Sequence, residues 1–320
     1  MDEGPLPSEE WTGRGNAFSG FAHFALRNGR LRIGLVIVSV WILVALLAPL
    51  IAPYSPTQPH PFAKLQPPGS RFFFGTDLDG IDILSRVLWA PRIDLGIAVA
   101  STTIALVVGV PIGAFTGYFG GRAGLFGFGS NLIMRVVDVS LAFPIFVFAL
   151  ALVAVLGPQA INVIVAMSFV NIPVFVWLTR SQVLGVREKP FVEAARCSGN
   201  SELRIAFRHV LPNALAAPLT QLSIVLGFSI LLTAGLSFVG AGVRVPTPEW
   251  GLMVAEGAST MITGQWWTAV FPGLALGSAV FGFGLVGDGL RSYLDPRQRR
   301  QTERVLESAV VERSLIGRET

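Results

Sequence analysis

Charge is what this sequence has least of. Asp, Glu, Lys and Arg together make up 14% of the 320 residues, where an ordinary soluble domain carries about 25%. With 52% hydrophobic residues and a mean hydropathy of +0.62, the deficit points to lipid as the solvent. Cysteine is nearly absent: Cys197 stands alone and cannot form an intrachain disulfide. Histidine is scarce too, and His23, His60 and His209 lie too far apart for metal-ligand spacing. Redox and metal chemistry are not expected. Lysine is reduced to Lys64 and Lys189, so arginine carries almost all of the basic excess behind the formal net charge of +4. A P-loop needs Gly-Lys followed by Ser or Thr, so that backbone amides and the lysine hold the phosphates. Lys64 precedes Leu65 and Lys189 precedes Pro190, which excludes an ATP site of that type.

What the sequence has is long apolar runs. A helix crossing the hydrocarbon core needs about 20 mostly apolar residues. Six stretches qualify: Ile33 to Ala52, Leu95 to Tyr118, Val139 to Leu156, Ile161 to Thr179, Leu215 to Val239 and Ala269 to Val286. Basic residues precede the first, as in a signal peptide. Its run is longer than the roughly 7–15 residues of a signal core, however, and no small-residue cleavage site follows. It reads as an uncleaved anchor helix.

Basic loops stay cytoplasmic, and that rule sets the orientation. With the amino terminus inside, only Lys64, Arg71, Arg86, Arg92 and Arg244 of the 24 basic residues fall outside. Both termini are therefore expected in the cytoplasm. Topology alone then accounts for the basic excess, without nucleic acid. The segment Pro53 to Pro68 is rich in proline and reads as an irregular external linker between the first helix and a five-helix remainder. The tail after Pro296 is polar and charged, and reads as a frayed cytoplasmic helix or disorder.

None of the six stretches contains Asp, Glu, Lys, Arg or His, and Asp138 and Asp288 fall at or just past their ends as solvated interface residues. A carrier driven by protons or sodium usually keeps ionisable groups within the bilayer, so energy for transport is expected from elsewhere. An intramembrane hydrolase would need a base beside a nucleophile. Ser101, Ser168 and Ser229 lie in the spans without histidine or lysine, and read as helix-packing residues. Asp77, Asp79 and Asp82 lack the alternating ligands and late glutamate of a calcium loop, and read as a contact for an external protein or as helix caps. Gly109, Gly113 and Gly117, spaced four apart, are candidates for close helix packing.

The longest internal cytoplasmic loop, Arg180 to Ala214, is also the most organised. Pro190 starts a helix over Phe191 to Arg196, with Glu193 favouring the dipole and Arg196 at i+3 to pair with it. Gly199-Asn200-Ser201 breaks it. Ser201 is the expected cap of a second helix from Glu202 to Val210, ended by Leu211-Pro212-Asn213. Leu203, Phe207 and Val210 are expected on one face, Arg204 and Arg208 on another. Such a pair of helices suits docking on a soluble partner, and equally a solvated loop with none.

The residues Glu193-Ala194-Ala195, Gly199, Ile205, His209, Leu211, Pro212 and Asn213 resemble the EAA loop of ATP-binding-cassette (ABC) importer permeases. The resemblance extends over Phe74 to Arg297 through Phe74-Gly75-Thr76-Asp77, Gly117-Tyr118-Phe119-Gly120-Gly121, Met134-Arg135-Val136-Val137-Asp138 and Gly287-Asp288-Gly289-Leu290-Arg291. These stretches are similar to the second permease subunit of dipeptide and oligopeptide importers. Ile81 departs from the arginine expected before Asp82, and Cys197-Ser198 from a small apolar pair.

The resemblance implies an all-α integral membrane protein with six transmembrane helices, a type-1 ABC importer permease fold and both termini inside. It implies a cytoplasmic segment (1–32), an anchor helix (33–52), an external linker (53–91), a permease domain (92–291) with its coupling loop at 187–213, and a cytoplasmic tail (292–320). The implied setting is a multi-pass protein of the bacterial inner membrane. Its implied partners are a homologous permease, two ATPase subunits that bind ATP, an external substrate-binding protein and membrane lipid. This subunit would carry no cofactor and no ATPase site of its own. By the same analogy Gly199 permits the turn, and Glu193 with its neighbours contacts the ATPase. Importers of nickel chelates, glutathione and sugars share the pattern, so the cargo stays open beside peptides. A secondary carrier is the alternative of a different class.

Overall fold

The structure, a computed structural model, describes residues 24–294. The ends of the chain, including the whole tail after Pro296 expected to fray, lie outside the described residues. Eleven α-helices are present among the described residues: α1 (Gly29–Ile51), α2 (Ile83–Phe119), α3 (Leu125–Ala142), α4 (Ile145–Leu156), α5 (Ala160–Val186) and α6 (Pro190–Cys197), followed by α7 (Glu202–Arg204), α8 (Leu211–Ala214), α9 (Ala216–Phe238), α10 (Trp250–Met261) and α11 (Trp267–Leu294). A π-helical turn, Ile205–Val210, joins α7 to α8. Six of them, α1, α2, α3, α5, α9 and α11, are long and apolar enough to cross a membrane.

The third expected span needs correction, and the second is extended. The third is two helices broken at Phe143-Pro144, not one run from Val139. Pro144 has no N–H to donate, and the residue before a proline is pushed towards extended backbone; Phe143 sits at φ −80, ψ 139. α3 reaches back to Leu125, while α4, with 12 residues or about 18 Å, is too short to cross alone. The second lies within a longer helix that starts at Ile83, because Asp82 caps it there, accepting from the Ser85 N–H at 2.7 Å. The long helices are therefore not free of charge. α2 carries Arg86, Arg92 and Asp94, α3 carries Arg135 and Asp138, and α5 carries Arg180.

α2 and α5 form the centre of the bundle. They touch along Gly109, Gly113 and Gly117 of α2, where a side chain has no room. A Cβ at Gly113 would stand 2.6 Å from the Val176 carbonyl oxygen and 2.7 Å from Thr179 Cβ, and one at Gly109 2.7 Å from Phe175 Cβ. Removing the side chains lets the two backbones approach, the usual route to tight packing where no hydrophobic effect drives association. α9 closes the third side through a buried polar bridge, in which Asn171 Nδ2 donates to Ser229 Oγ at 2.9 Å and Thr102 Oγ1 lies 3.4 Å from the same oxygen. α1 lies on α11, with Leu31 seated against Gly289.

At the end of the bundle where α2 begins, the proline-rich segment has neither helix nor strand but is packed. The Tyr54, His60 and Phe72 rings cluster at 5.1–5.4 Å. Arg86 of α2 bonds Asp77 at 2.5 Å and Glu256 of α10 at 3.0 Å, joining the residues just before α2 to α10. α10 was not foreseen from the sequence. Glu249 caps it, accepting from the Gly251 and Leu252 N–H groups at 3.0 and 2.6 Å, and Asp94 of α2 accepts from Trp250 N–H at 3.2 Å.

Candidate functional site

The opposite end of the bundle holds the loop between α5 and α9. α6 begins at Pro190, whose fixed φ and missing N–H suit the first helical turn. Glu193 lies in that turn and its carboxylate is 3.7 Å from Arg196 Nη1. Gly199 follows with φ +77, a left-handed conformation that glycine adopts freely. Asn200 Nδ2 then donates to the Ala195 carbonyl at 3.0 Å, closing the turn. Ser201 caps α7, accepting from Arg204 N–H at 3.4 Å.

The second helix differs from the expected one. It does not end at Val210. After α7 the chain takes a π-turn through Ile205–Val210 and continues as α8 across Pro212. Pro212 removes a donor from the ladder, and a turn bonded five residues back instead of four faces different side chains inward. Ile205, Ala206 and Val210 are buried, packed with Val192 of α6 and with Tyr118, Phe119 and Val183 of α2 and α5. Leu203 and Phe207 point out instead, 45% and 39% exposed, beside Phe191 at 38%. The apolar face expected to be single is thus split into a seat and a surface.

The sequence-derived residues fall accordingly. Glu193, Ala194 and Gly199 are exposed and Ala195 is half-buried. His209 and Leu211 are half-buried; Pro212 and Asn213 are exposed, and Asn213 Nδ2 donates to the His209 carbonyl at 2.7 Å. Gly109, Gly113 and Gly117 lie outside this site, along the α2–α5 contact that leads to it.

One polar cluster at this end was not legible in the sequence. Glu202 accepts from Tyr118 Oη and Arg122 Nη1, both at 2.6 Å, and from Arg196 Nε at 2.9 Å. Those bonds, Tyr118's foremost and then Arg122's and Arg196's, hold its carboxyl down to about 2 from an ordinary 4.5. The sign follows from the lowered value: the network is whole above about 4.5 and is lost only as pH falls through about 2. Two of its three partners, Tyr118 and Arg122, stand 84 and 80 residues away in the chain, beyond any local spacing rule. An open cleft of about 770 Å³ separates α6 from the end of α2, lined by Arg122, Arg187, Lys189 and Glu193 among others.

Comparison with known proteins decides the family. Residues 109–300 match the family described as the binding-protein-dependent transport system inner membrane component, and residues 26–68 match the N-terminal TM domain of oligopeptide transport permease C. The chain belongs to this permease family. It is a permease subunit of an ABC importer and a multi-pass bacterial inner-membrane protein.

Among relatives of this permease is the dipeptide transport system permease protein DppC of Alkalihalophilus pseudofirmus, 38% identical over 92% of this chain and 94% of that one. The di/tripeptide transport system permease protein DppC of Pseudomonas aeruginosa is 39% identical, covering 86% and 90%. The glutathione transport system permease protein GsiD of Pectobacterium atrosepticum is 35% identical, covering 86% and 87%. The fold is also that of a chain from the MetNI methionine ABC transporter in inward facing conformations. That match has a TM-score of 0.55 at 15% identity and covers 66% of this chain and 96% of that one.

Proposed function

We propose that this permease pairs with a homologous subunit to form a pathway for di- and oligopeptides, and that the loop at 187–213 couples it to two ATPase subunits. In this reading the loop end of the bundle and both termini are cytoplasmic. Arg122, Arg180, Arg187, Lys189, Arg204 and Arg208 all belong to that end, as the positive-inside rule requires. The opposite end, with the Arg86 cluster and α10, then meets an external binding protein that delivers the cargo.

The observation that carries the coupling is the split face of the loop. Ile205, Ala206 and Val210 fix it to the bundle, while Leu203 and Phe207, and Phe191 on α6, stay exposed, with exposed Arg204 and Arg208 next to them in sequence on the second helix. An exposed apolar patch rimmed by charge marks a protein contact. The chain supplies conformational change and passage, and ATP is bound and hydrolysed by the partners. Peptide cargo is supported by the relatives named for dipeptide and di/tripeptide transport. The relative named for glutathione transport favours a second reading, a peptide-like thiol as cargo.

The test is co-purification of the ATPase subunits with the chain. Phe207→Asp is expected to weaken their association about 30-fold, the worth of one interface anchor of about 2 kcal/mol. Undiminished association in a variant with Phe191, Leu203 and Phe207 all changed to Asp would remove the loop as the docking surface.

A further inference from the structure

A loop that docks on a moving partner transmits nothing unless it is gripped from the other side. Its chain connections are poor grips. α6 and α7 meet at Gly199, a left-handed turn with nothing within 4 Å of where a side chain would begin, and a force on α6 can be absorbed by bending there. The strongest polar attachment runs elsewhere, to the end of α2.

Glu202 is the centre of that attachment. Its Oε2 takes the Tyr118 hydroxyl from the last turn of α2 and Arg122 Nη1 from the turn just after it, while Oε1 takes Arg196 Nε from α6. One carboxylate therefore joins both helices of the loop to α2, bridging the Gly199 turn. Charge-assisted bonds of this kind are short and roughly twice as strong as neutral ones. The anchor point is firm, because the Tyr118 side chain is fully buried and packs against Phe119 with ring centroids 5.1 Å apart. Arg122 lies 4.4 Å over the Tyr118 ring, so the donors brace each other.

The end of α2 is held in turn by α5. Arg180 Nη1 donates to the Thr116 carbonyl at 2.8 Å, and Arg187 Nη1 donates to those of Gly117 and Gly120 at 2.9 and 3.0 Å. With the side-chain-free contact along Gly109, Gly113 and Gly117, α2 and α5 behave as one body. α2 has 37 residues and is about 55 Å long. It reaches from the loop to Arg86 and Asp94, which hold Asp77 of the external linker and α10. A push on α6 delivered through Glu202 thus arrives at both ends of the bundle.

We propose that Glu202 is the positioning residue of energy coupling: its carboxylate clamps α6 and α7 to Tyr118 and Arg122, so that loop movement drives α2. The proposal rests on the reading of the loop as the ATPase contact. It adds the internal half of the linkage, through Tyr118 and Arg122 on the bundle side of the loop.

The test uses the complete complex in proteoliposomes, with this chain, its partner permease, the ATPase subunits and the binding protein. Glu202→Gln and Tyr118→Phe are compared with wild type for subunit co-purification, ATP hydrolysis and peptide moved per ATP. Glu202→Gln is expected to keep the subunits together and hydrolyse ATP, but to move at least about fivefold less peptide per ATP, the low end of a coupling energy between sites. Tyr118→Phe is expected to fall in the same direction, and Glu202→Asp to recover part of the loss. A merely structural role would lower hydrolysis and transport together at an unchanged ratio, and that result overturns the proposal. So does an unchanged ratio at full rates. If Glu202→Gln fails to assemble, Tyr118→Phe, which deletes one hydroxyl, decides by the same ratio. Loss of ATPase association in the Phe207→Asp variant concerns the docking surface and leaves the ratio for Glu202 to be read separately.

Discussion

Gly113→Leu is expected to leave little folded protein, because the new side chain begins inside the α2–α5 contact. The first atom added would lie 2.6 Å from a main-chain oxygen of Val176, and a backbone atom within a helix cannot step aside as a side-chain tip can. Even Gly113→Ala is expected to cost about 1–3 kcal/mol, the usual penalty of overpacking. Gly96 is the internal control. It lies in the same helix with nothing within 4 Å of its Cβ position. Gly96→Ala should be neutral or stabilising by up to about 1 kcal/mol, since alanine is the better helix former. Monodisperse protein remaining after heating in detergent measures both. Equal survival of the Gly113 and Gly96 variants would mean that the two helices do not pack as described.

The second large effect belongs to Gly199. Its φ of +77 is the left-handed region, where a residue with a Cβ pays roughly 1–2 kcal/mol and only asparagine or aspartate is tolerated readily. Nothing within 4 Å obstructs a side chain there, so conformation alone is at stake. Gly199→Val is therefore expected to open the turn between α6 and α7 and reduce peptide-stimulated ATP hydrolysis about tenfold, as a β-branched residue disfavours that conformation further. Gly199→Asn is expected to stay within about twofold of wild type, since asparagine visits the same region. If valine and asparagine behave alike, the loss comes from contact with the partner, and the turn itself is not what matters.

The features readable in the sequence were those set by neighbours in the chain. Pro190 opens a helix because a proline suits its first turn, and Gly199 turns the chain because it lacks a Cβ. Both effects are local, and the structure has α6 start and the turn fall at those residues. The apolar run of α1 needed only counting. What could not be read depends on residues far apart or on competing signals. Asn131, Arg135 and Asp138 dilute the hydropathy of α3, so the run seemed to begin at Val139, and Pro144 then divides what remained. The π-turn at Ile205–Val210 puts Ile205, Ala206 and Val210 inward while Leu203 and Phe207 stay exposed, a register that a regular helical period does not anticipate. Glu202 was read as the first residue of a helix, and its role came from Tyr118 and Arg122 across the fold. α10 lay in a segment whose apolar content was too short to register, though Glu249 before Trp250 has the position of a cap.

Ionisable residues on the long helices reopen the choice that their absence had closed. Asp94, Asp138 and Arg180 all lie on helices able to cross a membrane, where such groups serve proton-driven carriers as well. Here Asp94 holds the start of α10 and Arg180 the end of α2, which gives both a structural task. The energy source is the point to measure. Uptake of a labelled dipeptide should be followed into proteoliposomes with the binding protein outside, comparing ATP in the lumen with an imposed proton gradient. Uptake is expected only with ATP and the ATPase subunits present. Gradient-driven uptake by this chain and its partner permease, with no ATPase subunits, would contradict it.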